Sequence, residues 1–147
     1  MAPTSGPEEL PYTIEHLEEL CEFVAHRDDV VYLRYSRGPA ADAEGPSHDF
    51  EADVDLPGLS VTVVTPEPWW PRPAREWIAR RLCKYAELGN EQHRFPWLLT
   101  GRIAGFGPDH EPLIADPVPL ARISGPAVEE ATTVYREAFR VGQDSRC

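Results

Sequence analysis

Lysine is nearly missing from this chain of 147 residues: Lys84 stands alone among 14 basic side chains, and the other 13 are arginine. Cysteine is scarce as well, at positions 21, 83 and 147. An odd number without close spacing argues against a disulfide framework, and no CxxC pair signals a zinc site. No uninterrupted apolar run approaches the roughly 20 residues that a membrane-spanning helix needs. The opening "MAPTSGPEEL" has neither a basic start nor an apolar stretch, so it does not read as a signal peptide. A phosphate-cradling Gly-rich loop, a nucleophile elbow and a recognisable Ser/His/Asp set are all absent. The expectation is a soluble, cytoplasmic protein with no ready-made catalytic motif.

What is present reads as one globular domain. Apolar residues make up 41% and charged residues 27%, which argues against wholesale disorder, and the length suffices to bury a single core. Charge is divided unevenly. Residues 1–60 carry 14 acids against 3 bases, a net of −11, whereas residues 61–147 carry 11 of each. Such a surface repels phosphate backbones, so no nucleic-acid partner is expected, and no membrane partner either. It suits either a solvated face or a docking face for a basic protein partner.

Residues 1–11 read as a loose N-terminal segment, 12–142 as the globular domain and 143–147 as a tail. Thr13 is expected to cap a helix reaching about Ala25. Residues 30–36 read as a strand, followed by a long loop at about 38–56. "LSVTVVT" (59–65) is a second strand. "PEPWWPRP" leads rigidly into a helix from Pro73 to about Leu88, stopped by Gly89 and Asn90. "WLLTGRIAG" (97–105) is a third strand, with short extended pieces at 112–115 and 117–123. Pro126 opens a last helix to about Arg140. Helices and strands do not alternate strictly, so the fold class is α+β: a small, mainly antiparallel sheet packed by about three helices.

The strand "VVYLRYSRGP" raises a question, because Arg34 sits in its middle and Arg37 just past its end. Alternation sets Val31, Leu33 and Tyr35 on one face and Tyr32, Arg34 and Ser36 on the other. If the three strands are neighbours, their polar faces assemble a wall bearing Arg34, Ser36, Ser60, Thr62, Thr100 and Arg102. As a cleft floor this wall would take a small anionic ligand, since a guanidinium fork matches carboxylate and phosphate. Tyr32 with Trp69 or Trp70 would form its aromatic side. In the turn "GFGPDHEPLI", Asp109, His110 and Glu111 stand consecutively between prolines, a platform for general acid–base work. "SHDFE" (47–51) is a second acid–imidazole cluster, and the two together suggest a small-molecule enzyme. His48, Asp49, His93, His110 and Glu111 lack the spacing that fixes metal ligands in advance, so no metal is expected.

Two resemblances follow from these segments. Over roughly residues 30–140, "YLRYSRGP", "LPGLSV", "PEPWW", "WIARRLCKYA", "PWLLTG" and "GPDHEPL" resemble an uncharacterised family of short actinobacterial proteins. "VYLRYSRG" is also similar to the arginine strand of NAD-dependent ADP-ribosyltransferases, and Arg34, Ser60 and Glu111 occur in that class's Arg-Ser-Glu order. "SVT" stands where the class has Ser-Thr-Ser, and Asp109 where it has Gln or Glu. The resemblance implies NAD as cofactor. Arg34 would grip its phosphates, Ser60 would support it, and Glu111 would hold the nicotinamide-ribose hydroxyl and stabilise an oxocarbenium-like transition state; the polar wall and the turn add Ser36, Thr62 and Trp70 as further binding candidates and His110 as a further catalytic one.

Overall fold

The computed structural model describes residues 10–43, 48–49, 54–55, 58–84, 94–108 and 110–139. It begins with strand β1 (Thr13–Ile14) and helix α1 (Leu17–Ala25). Thr13, expected to cap α1, instead joins the sheet, because Thr13 and Ile14 pair in parallel with Arg122 and Ile123. The helix start is satisfied from a distance: the Leu17 N–H donates to the Glu130 carboxylate at 2.8 Å.

Strand β2 (Tyr32–Ser36) is followed by the short helix α2 (Pro39–Ala43) and by strands β3 (His48–Asp49) and β4 (Val54–Asp55). The last two pair with each other and, among the described residues, with no other strand. The stretch expected as a long loop at 38–56 therefore carries three short elements. Strands β5 (Leu59–Ser60) and β6 (Thr62–Val63) come next, then helix α3 (Ala74–Lys84). Strands β7 (Phe95–Phe106) and β8 (Pro112–Ile123) form a long hairpin before helix α4 (Gly125–Phe139). Residues 85–93, with Tyr85 and the expected stop at Gly89 and Asn90, lie outside the described residues. The pieces expected at 112–115 and 117–123 form one strand, bent where Asp116 takes a left-handed conformation (φ 54°), which aspartate tolerates better than most residues.

The sheet order is β1-β8-β7-β2-β6, and β5 also pairs with β8, at Leu113 and Ile114. Only Val61 separates β5 from β6. Residues 59–63 thus pair with Ile114 and Leu113 at one end and with Tyr32 and Leu33 at the other. That bridge curls the sheet and covers two edges that would otherwise be open. Gly58 permits the approach: a Cβ there would lie 2.6 Å from the Ile114 carbonyl oxygen.

Curling creates two apolar cores. On the helix side, Leu33, Tyr35, Val64, Leu98 and Ile123 pack against Leu17, Leu20, Trp77, Ile78, Leu82 and Ala131. Inside the curl, Tyr32, Leu59, Val61, Trp97, Leu99 and Ile114 pack together. The fold is a single α+β domain, as expected. No helix among the described residues is long and apolar enough to cross a membrane.

Candidate functional site

Arg34 faces into the curl. The register sets Arg34 opposite Trp97 and Tyr32 opposite Leu99, and directly paired residues share a face. Its side chain is only 19% exposed, and all three guanidinium nitrogens donate hydrogen bonds. Nε donates to Asp42 Oδ2 at 2.7 Å, one terminal nitrogen to Asp42 Oδ1 at 3.2 Å, and the other to the Ser60 carbonyl at 2.8 Å. The Ser36 hydroxyl completes the cluster. Ser36 Oγ donates to Asp42 Oδ2 at 2.8 Å and accepts from the Trp97 indole at 2.9 Å and from the Gly38 amide at 3.1 Å. Gly38 turns the chain into α2 with φ 113°, a conformation glycine adopts without strain. The arginine in the middle of a buried strand is explained: on the inner face of the curled sheet a carboxylate and a carbonyl receive it.

Ser60 carries the network onward. Its hydroxyl donates to Glu111 Oε2 at 2.8 Å, so one residue touches the guanidinium through its carbonyl and the carboxylate through its side chain. Glu111 closes the β7–β8 turn, its carbonyl accepting from the Gly107 amide at 2.8 Å. The carboxylate lies over Gly107, where a Cβ would stand 2.2 Å from Oε2. His110, in a left-handed conformation (φ 65°), turns outward and is exposed. Asp109 and His93 lie outside the described residues. His48 and Asp49 belong to the separate β3–β4 pair. Burial holds the Tyr32 phenol above its ordinary value. Among the described residues no group of three or more His, Cys, Asp or Glu side chains could hold a metal ion.

The six-residue wall divides. Arg34, Ser36 and Ser60 come together; Thr62, Thr100 and Arg102 do not join them. Thr62 pairs with Leu33, so it faces the helix side and is buried there. Thr100 bonds the Val30 carbonyl, and Arg102 pairs with Asp116 in an exposed contact. The physical reason is register. The apolar residues of β7, not its polar ones, share the face of Arg34. Trp70 packs in the helix-side core, so the sheet separates it from Arg34. Asp42 and Trp97 are the partners that alternation could not supply. "GPAADA" did hold a signal for α2, with proline at the first helical position and alanines behind it.

These features define a small α+β protein with a charge-compensated polar cluster in a curled sheet. Comparison with protein families gives its place. The chain belongs to a family of unknown function, DUF6098, whose model matches residues 7–146. No curated protein and no solved structure matches it.

Proposed function

We propose that the Arg34–Ser60–Glu111 chain is the reacting centre of a small ADP-ribosyltransferase-like enzyme that uses NAD. The observation that supports this reading is the double use of Ser60, whose hydroxyl orients Glu111 while its carbonyl holds Arg34. A carboxylate fixed by a hydroxyl is suited to accept a hydrogen bond from a ribose hydroxyl and, still charged, to face a developing positive charge. A pyrophosphate presents the guanidinium with the same paired oxygens that Asp42 does, so NAD binding exchanges one partner for the other. In the reaction the bond from nicotinamide nitrogen to ribose C1′ breaks, and the electron pair leaves with nicotinamide. An acceptor oxygen or nitrogen, or water, bonds to C1′ and loses its proton.

The test is nicotinamide release and calorimetric NAD binding. Glu111→Gln is expected to lower release about 10²-fold or more, the scale for losing one transition-state contact, while NAD still binds. If the native protein gives neither nicotinamide nor binding heat at millimolar NAD, the reading is wrong.

One observation favours a second reading, a non-catalytic module that docks on a basic protein. Glu15, Glu18 and Glu22 are exposed on or beside α1. Association through that face weakens steeply with salt; a pulled-down partner held equally at about 1 M salt, where screening acts within about 3 Å, removes it.

A further inference from the structure

A second candidate site lies on the helix side of the sheet, away from Arg34. Three tryptophans meet there edge to face: the Trp70 and Trp77 rings are 5.1 Å apart, and Trp69 stands 5.7 Å from Trp77. Trp69 is left 68% exposed, whereas Trp77 is only 3% exposed. With Arg80, Arg81 and Lys84 they line a groove of about 630 Å³, within the ~300–1,000 Å³ usual for small-molecule sites. The Arg81 guanidinium lies 4.3 Å over the Trp77 ring, a cation–π contact that holds it at the groove.

One polar atom in this wall is unfinished. The buried Trp77 indole N–H meets no acceptor among the described residues. Buried donors are nearly always satisfied, and the residue that leaves this one unmet is itself part of the groove lining. The three cations fall within little more than a turn of α3, with Arg80 and Lys84 on one side at i and i+4. We propose that this groove binds a small anion carried on a flat ring, with the ring stacked on Trp69 and the anionic group among Arg80, Arg81 and Lys84. A nucleoside monophosphate and an aromatic carboxylate share that chemistry. A nucleic-acid strand does not suit it, because the protein's net charge of −11 repels a polyanion that a local patch would otherwise attract.

Calorimetry on the full chain tests this with AMP and 2-naphthoate as probes. Adenosine and inorganic phosphate serve as ring-only and anion-only controls. AMP or 2-naphthoate should saturate at millimolar concentration, with both controls at least about tenfold weaker. Binding of AMP alone assigns a nucleotide, and binding of 2-naphthoate alone an aromatic acid. Trp69→Ala and Arg80→Ala should each weaken binding about tenfold or more, the scale of one lost stacking or ionic contact. Arg34→Lys, on the other face, should leave it unchanged, which separates this site from the NAD reading. Absence of saturable heat with both probes overturns the proposal. So does binding that survives both Trp69→Ala and Arg80→Ala.

Discussion

Replacing Asp42 by asparagine tests what the buried guanidinium is for. Asp42 accepts two bonds from Arg34 and one from Ser36. Asparagine keeps one acceptor oxygen and turns an NH₂ group toward one of those donors. One charge-assisted bond worth about 1.5–3 kcal/mol is lost, and an arginine side chain only 19% exposed keeps its charge without this counter-ion. Breaking a fully buried pair costs about 3–5 kcal/mol. Because 11–19% of each side chain still reaches water, we expect about 2–4 kcal/mol. At about 3 °C per kcal/mol for a chain of this size, Tm should fall by about 6–12 °C. Thermal unfolding followed by circular dichroism measures this directly, and a fall of less than about 2 °C would refute the reasoning about a compensated buried charge. The same variant separates two roles. If Arg34 also grips phosphates, removing the competing carboxylate should tighten NAD binding even as stability drops. Lower stability with unchanged or weaker NAD binding would leave Arg34 a structural strut and sink the proposed centre.

Further outcomes follow from the same contacts. Gly107→Ala should displace the Glu111 carboxylate, since a Cβ would stand 2.2 Å from it, while the flexible end of that side chain gives way; we expect NAD turnover to fall with Tm changed by only a few degrees, ~1 kcal/mol. Gly58→Ala meets the Ile114 backbone at 2.6 Å, which cannot retreat without opening the β5–β8 pairing, so urea unfolding should show a loss of about 2 kcal/mol or more. The His16 pKa is raised, first by its hydrogen bond to Glu130, and that of Glu130 is lowered, first by the Leu17 amide and then by His16. The histidine's contribution is complete below its unfolded value of 6.5 and is lost as pH rises through the raised folded value. The glutamate's is present above 4.5 and is lost as pH falls. Their small joint effect is therefore fullest between these values, and NMR titration of His16 in Glu130→Gln should show its pKa drop. Burial pushes the Cys21 thiol up to about 11, so it should resist alkylation at pH 8 until urea is added.

The pattern of residues by itself determined a good deal. Period-two alternation put Val31, Leu33 and Tyr35 in one core and turned Arg34 and Ser36 away from it. Apolar spacing placed α3 and α4, and the mixed order of elements gave the α+β class. Each of these depends on interactions between near neighbours in the chain. Pairing did not follow from the same rule, because alternation says that a strand has two faces without saying which face meets which in the next strand. Only the register Arg34–Trp97 and Leu33–Thr62 assigned Thr62 to the helices and Trp97 to the curl. Tertiary structure also drew Thr13 from a helix cap into a sheet, through pairing with Arg122 more than a hundred residues later. It brought Asp42 to Arg34 through α2, and Glu111 to Ser60 across 51 positions. Contacts so distant along the chain are chosen by how the whole sheet closes, and no local preference encodes that choice.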